Sequence, residues 1–329
     1  MQEKVRARRE AIGRHALIRG DAFNVMRRME TGSVDIVVTS PPYNIGVAYR
    51  SYEDRLEEQD YIGWMQTICT QIARVLKPDG SFFLNIAGSS AQPWLPFELI
   101  TQLRDIFVLQ NHIVWIKSVS IEEKTYGHFK PVNSSRFINH NHEHVFHLTH
   151  RGDVPLQRLA AGVPFTDKSN ISRRRHAVDR RCRGNTWFIP YETVRHRKEK
   201  FLHPGTFPVA LPTACATLHG YDARSVILDP FMGTGTTLIA AQELGLTGIG
   251  IDIDTRYVAV ARRRLRTAMG EGVPDGDPDE TRREAVDPDP LPGQAPRGDH
   301  GQDLHRSDLP DGEGMPRAQT GDIDAASSP

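Results

Sequence analysis

Cysteine is scarce: Cys69, Cys182 and Cys215 are the only three in 329 residues, and no two form a CxxC pair. That count excludes a disulfide-stapled scaffold and fits a reducing compartment such as the cytoplasm. Long apolar runs are missing too; none approaches the ~20 residues of a membrane span. The first fifteen residues, Met1–His15, are too charged for a secretory leader. Net charge is absent as well, since 41 basic and 41 acidic residues cancel. The cancellation conceals a segregation. Glu271–Pro329 carries fifteen acidic against five basic residues, which leaves thirty-six basic against twenty-six acidic in Met1–Gly270. A basic body suits a polyanionic partner. The stretch 271–329 also lacks Phe, Tyr and Trp and is rich in Pro, Gly and Asp. Such a segment cannot bury enough surface to offset chain entropy and is expected to be a disordered acidic tail. It reads either as a nucleic-acid mimic or as a solvated extension.

What is present is an alternation of strands and helices. Ala16–Ala22 reads as a strand and turn, with a helix through Met29. Ser33–Thr39 is mostly β-branched, the signature of a strand buried on both faces of a parallel sheet. Asp60–Leu76 has helical apolar spacing and stops at Lys77-Pro78-Asp79-Gly80. Strands are expected at Ser81–Ala87, Asn111–Lys117, Glu143–Thr149, Ser225–Leu228 and Gly248–Asp252. Helices are expected at Pro96–Phe107, Thr206–Leu218, Thr236–Leu244 and Arg256–Met269. The alternation implies βαβ units and a doubly wound, mostly parallel α/β sheet. Between Arg151 and Lys200 the pattern fades, and no internal repeat is found.

Asp229-Pro230-Phe231-Met232-Gly233-Thr234-Gly235-Thr236-Thr237 lies between a strand and a helix. Glycines there let backbone approach a ligand at the carboxyl end of a parallel strand. No lysine follows the second glycine, which excludes a P-loop, and the third glycine of a dinucleotide fingerprint is missing. Seventeen residues after Gly235, Asp252 ends the next strand, where a carboxylate can accept from ribose hydroxyls. Almost two hundred residues earlier, Thr39-Ser40-Pro41-Pro42-Tyr43-Asn44 ends the β-branched strand. A Pro-Pro pair fixes backbone direction and removes competing N–H donors. No cysteine follows a proline in the arrangement that pyrimidine-ring nucleophiles use.

Together the two segments resemble the amino-group DNA methyltransferase family, in the order where the catalytic motif precedes the cofactor motif. The likeness covers roughly residues 17–265. It implies a Rossmann-like fold and S-adenosylmethionine as cofactor, held by Asp229, Pro230, Phe231, Gly233, Thr234, Gly235, Thr236 and Asp252. His203-Pro204-Gly205-Thr206-Phe207-Pro208 matches the family segment that closes over the methionine part, with His203, Thr206 and Phe207 as its candidates. In Gly20-Asp21-Ala22 the family aspartate contacts adenine; Asp21 as a helix cap accounts for it equally well.

The amino group of a base is a poor nucleophile because its lone pair is delocalised into the ring. By resemblance, Ser40 and the Pro41 carbonyl accept its N–H groups, and Pro42 stiffens the turn. Tyr43 stacks on a base flipped out of the duplex. Transfer is then direct displacement governed by positioning. Serine at the first position points towards N4 of cytosine, aspartate being commoner in adenine N6 enzymes. A neutral serine can still accept a hydrogen bond, so adenine stays open. An inactive DNA-binding relative and an RNA methyltransferase are the remaining alternatives.

Arg173, Arg174, Arg175, Arg180, Arg181, Arg183, Arg195 and Arg197 crowd the segment where the family recognises its target. Arginine there suits phosphates and guanine edges; a solvated basic loop is the plainer alternative. Trp187, Phe188 and Tyr191 are expected to form a small core. His140, His142 and His144 alternate along one strand face without the companions of a metal site, and none is expected. The resulting division is a catalytic part (1–150), a basic target-recognition region (151–200), a cofactor-binding part (201–270) and the tail (271–329). The implied partner is double-stranded DNA, with a cognate restriction endonuclease, and the protein acts as a monomer or homodimer on the bacterial nucleoid without a membrane.

Overall fold

The computed structural model describes residues 7–46, 52, 54–128, 131–169, 171, 178–191 and 206–271. The chain separates into units 1–279 and 280–329, and the second lies outside the described residues, as does the expected disorder of the tail. One nine-stranded mixed sheet organises the first unit.

Five parallel strands form its centre. They are β2 (His15–Arg19), β11 (Thr247–Asp252), β10 (Val226–Asp229), β3 (Val34–Thr39) and β4 (Leu76–Ile86), in that spatial order. β1 (Arg8–Ile12) adds an antiparallel edge beside β2. On the other side, β8 (His142–Thr149) runs antiparallel to both β4 and β5 (Val108–Ile116). β9 (Thr186–Phe188) closes that edge, parallel to β5. A separate hairpin joins β6 (Ser118–Ile121) to β7 (Lys124–Gly127). The sequence pattern did not foresee β1, the β6–β7 hairpin or β9: each is short and largely exposed, so apolar alternation is faint.

Helices cover both faces. α1 (Ala22–Met26), α2 (Glu58–Val75) and α3 (Leu95–Gln102) pack with Phe82, Leu84 and Phe146 on one side. α4 (Ala210–His219) and α5 (Thr236–Leu244) pack with Ile36, Phe83 and Trp115 on the other. α6 (Thr255–Ala268) lies over β1 and β2. In α2, Tyr61, Met65, Ile68, Cys69, Ile72 and Val75 recur every three or four residues and are buried. Glu58 and Asp60 sit in its first turn and Arg74 in its last, matching the helix dipole. Each large apolar side chain removed from water contributes about 1.5–3 kcal/mol. α2 ends where Leu76 turns extended (φ −71°, ψ 135°), ahead of Pro78, so β4 begins without a loop.

Trp187 is 1 % exposed in the core beside Trp115, and Tyr191 packs partly against it, as expected. Phe188 corrects the expectation: it is 40 % exposed. Alternation along β9 turns Trp187 inward, so its neighbour must face out.

Candidate active site

The site begins at a seam. β3 and β10 are sheet neighbours, pairing Ile36 with Ile227 and Val37 with Leu228. Beyond the pairing, Thr39 Oγ1 donates to Asp229 Oδ1 at 2.6 Å, a buried bond across 190 residues of sequence. Asp229 also accepts from Thr237 Oγ1 (2.7 Å) and the Phe231 amide (3.1 Å). Burial pushes its carboxyl up to about 6, against the pull of these donors. The Ser-Pro-Pro-Tyr turn and the glycine turn thus leave one edge of the sheet side by side.

On the glycine side, Gly233 (φ 50°) and Gly235 (φ 81°) adopt left-handed backbone. A Cβ on Gly235 would lie 2.8 Å from that of Ala261, so the turn packs directly on α6. The Gly233 amide donates to Asp252 Oδ2 (2.9 Å) and the Asp254 amide to Asp252 Oδ1 (2.8 Å). Burial raises the Asp252 carboxyl to about 7. Phe231 is half-buried, with its ring 5.5 Å from Trp64, which stacks on Tyr52 at 5.3 Å. Pro230 is buried in the turn. Arg264 donates to the Thr234 carbonyl and hydroxyl (both 2.8 Å) and to Thr236 Oγ1 (3.3 Å). One strand over, Gly20 N donates to the Asp252 carbonyl at 2.9 Å, which brings Asp21 to the same edge. Asp21 caps α1, accepting from the Asn24 amide at 2.9 Å, while Ala22 is buried. The Thr206 amide donates to Tyr191 Oη (3.4 Å), and Phe207 packs on the Trp115 core. His203 lies outside the described residues.

On the proline side the turn is held from beneath. Tyr61 Oη donates to the Pro42 carbonyl (2.8 Å). Asn44, left-handed at φ 59°, exchanges bonds with the Leu56 backbone (2.7 and 2.8 Å). Its amide donates to Asp54 Oδ1 (2.7 Å). Above this base, Ser40 Oγ donates to Tyr43 Oη (2.8 Å), and Tyr43 Oη donates to Glu143 Oε2 (2.8 Å). Asn85 Nδ2 reaches Glu143 Oε2 (2.7 Å), Tyr43 Oη and, at 3.4 Å, Ser40 Oγ. Lys117 Nζ pairs with Glu143 Oε1 at 2.9 Å, the two side chains only 17 % and 13 % exposed. The pleat explains the assembly. Glu143 pairs with Trp115 across the β5–β8 ladder, and residues two apart share a face, so Lys117 lies diagonal to it. Asn85 Oδ1 is buried without a hydrogen-bond partner among the described residues.

A family model described as DNA methylase, for N6 and N4 enzymes, matches residues 34–263. The chain belongs to the N6/N4 DNA methylase family. Its chemistry is accordingly methyl transfer to DNA with S-adenosylmethionine as donor. Among relatives, DNA adenine methyltransferase YhdJ of Escherichia coli is 28% identical over 260 residues, covering 77% of this chain and 83% of that protein. Type II methyltransferase M.ScaI of Streptomyces caespitosus is 27% identical over 262 residues, covering 76% and 80%. The solved PvuII DNA methyltransferase (cytosine-N4-specific) shares the fold with TM-score 0.59 and 18% identity, over 81% of this chain and 89% of that one.

In this DNA methylase the donor set suits a nucleoside. Carboxylates end two adjacent strands, a glycine turn brings backbone close, and Phe231 with Trp64 offers an aromatic surface. Sequence reasoning missed Asn85, Lys117 and Glu143. Their signal was positional: polar residues at strand ends level with Ser40. Of the arginine cluster, Arg180 donates to the Gly162 carbonyl (2.8 Å), Arg181 pairs through its backbone with Val163, and Arg183 lies 5.3 Å over the Trp187 ring. Arg173, Arg174, Arg175, Arg195 and Arg197 fall outside the described residues. His142 and His144 share a face of β8, and His144 bonds His112 (2.9 Å) and packs edge-on to Phe97. Burial holds His144 down to about 4. No group among the described residues could hold a metal ion.

Proposed function

We propose that this methylase is site-specific and modifies N4 of cytosine in double-stranded DNA. The observation that carries the reading is the Thr39–Asp229 bond, which joins the base-handling turn to the donor-handling turn at a single edge. Ser40 at the head of the turn supports cytosine over adenine. The buried Asn85 Oδ1, without a partner among the described residues, supports a polar base edge as the occupant of this pocket.

Asp252, Asp21, the Gly233–Gly235 turn and Phe231 hold S-adenosylmethionine, with Thr206 and Phe207 on its methionine side. Bound there, it supplies an electrophilic methyl group on a positively charged sulfur. Ser40 and the Pro41 carbonyl take the amino hydrogens and turn the nitrogen lone pair towards that methyl. The Tyr43 ring stacks on the extruded base, and the turn's anchors at Asp54 and Tyr61 fix the approach. Residues 151–200 read the target, with their arginines on phosphates and guanine edges.

Nucleoside analysis of DNA methylated by the purified protein tests the base. N4-methylcytosine is the expected product; N6-methyladenine alone would overturn the assignment. That second reading draws on the similarity to the Escherichia coli adenine enzyme.

A further inference from the structure

The reaction leaves a proton to be placed. As the amino nitrogen takes the methyl group, the N–C bond forms and the S–C bond breaks with its electron pair left on sulfur. The nitrogen then carries one proton more than the neutral product. A carboxylate beside it could keep that proton. Ser40 cannot, because a doubly protonated hydroxyl is a strong acid. It can accept only by passing on its own hydrogen in the same motion.

The hydrogen-bond chain gives that hydrogen a path. Ser40 Oγ donates to Tyr43 Oη at 2.8 Å, and Tyr43 Oη donates to Glu143 Oε2 at 2.8 Å. We propose that Glu143 is the terminal proton acceptor of methyl transfer, reached from the base through the hydroxyls of Ser40 and Tyr43. Ser40 and Tyr43 each receive one proton and release one, ending neutral. Glu143 gains one, becomes a neutral acid and later returns it to water. The inference rests on methylation of an exocyclic amino group and holds for either base.

The surroundings agree. Lys117 Nζ occupies Oε1, which leaves Oε2 to the hydroxyl chain and to Asn85 Nδ2 at 2.7 Å. The charged and titratable neighbours are Lys117 immediately after β5, Tyr43 from the catalytic turn, and His142 and His144 flanking on β8. The two histidines lie on the opposite face of the strand and do not enter the chain. Of the other carboxylates close to the turn, Asp229 accepts from Thr39, Thr237 and the Phe231 amide, and Asp54 accepts from the Asn44 and Ile45 amides at the far end of the turn. Glu143 therefore acts through other groups rather than on the substrate itself.

Single-turnover methylation of a DNA duplex, followed across roughly pH 5 to 9, tests this with wild type, Glu143→Gln and Tyr43→Phe. Binding of S-adenosylmethionine and of the duplex is measured in parallel. Glutamine keeps the size of Glu143 and can still accept from Tyr43, so a merely structural role would survive it. Both variants should methylate about 100-fold more slowly. The wild-type rate should fall towards low pH and that limb should vanish in both variants, while both affinities stay within about two-fold. A wild-type rate and pH profile in either variant would overturn the relay. If Glu143→Gln loses S-adenosylmethionine binding, Tyr43→Phe decides, since it leaves the Glu143–Lys117 pair intact. No methyl incorporation by the wild type would overturn the methylation reading itself, and the relay with it.

Discussion

Two polar networks straddle the same strands and the same face of the sheet, yet they are built for opposite ends. At the carboxyl end of β4, Asn85 and Glu143 join Ser40, Tyr43 and Lys117. Four residues along each strand, Ser81 and His147 join His219 and Asn111: Ser81 Oγ bonds His147 Nε2 and His219 Nδ1, both at 2.9 Å, and His147 Nδ1 meets Asn111 Nδ2 at 3.0 Å. Between them lie Phe83, stacked on His147 at 4.6 Å, and Val145, both buried. The first network ends in a charged pair at the edge where the two motifs meet. The second contains only neutral groups, because burial drives the His147 imidazole down to about 4 and lowers His219 as well. The pleat lines up side chains alike in both places; the presence or absence of a counter-charge decides whether a network can take a proton or must refuse one.

The largest effect expected from breaking this comparison is at Ser40. Ser40→Ala removes both the acceptor for the base and the first link of the chain, so turnover should fall by about 100-fold or more. Titration with S-adenosylmethionine should show an affinity close to wild type; a large loss there would mean that the two turns do not divide the work as described.

Acid should strike the second network. His147 has a depressed folded value, so its contribution is complete above the ordinary 6.5 and is lost as pH falls from there through about 4. The loss should reach up to about 3 kcal/mol. Asp229 and Asp252 work in the reverse sense: raised to about 6 and about 7, they favour the folded state most below the ordinary 3.8 and lose that contribution as pH rises. The clean measurement is therefore a difference. The unfolding free energy of wild type minus that of His147→Gln should shrink between pH 6.5 and about 4. A difference that stays flat with pH would show that His147 charges as easily folded as unfolded.

The smallest effect sharpens the contrast. Ser81→Ala leaves two imidazole nitrogens without their hydroxyl and should cost about 1–3 kcal/mol in denaturant unfolding. Methylation at a temperature where the variant is folded should stay within about two-fold of wild type, because Phe83 and Val145 insulate the edge. A larger drop would mean that the two networks communicate.

Most of the central sheet was legible. β3 and β10 are rich in β-branched and aliphatic residues, α2 has a clear 3.6-residue period, and Asp254 announces α6 by capping it through the Arg256 and Tyr257 amides. The motif residues were legible because each turn carries its own local reason, proline stiffness in one and left-handed glycine in the other. What escaped lies where geometry is non-local. The antiparallel run of β8 depends on its two partners. Nothing in the sequence around Glu143 announces that it meets a hydroxyl 100 residues away. Thr234 and Thr236 were legible as part of the loop, yet Arg264, 30 and 28 residues on, decides where their hydroxyls point.

The seam between β3 and β10 carries a further implication for how such an enzyme can be assembled. Adjacency in the sheet, rather than order along the polypeptide, unites the halves, so a rearranged gene that joined them the other way round would preserve the chemistry provided the exposed turn at 221–224 served as the new breakpoint.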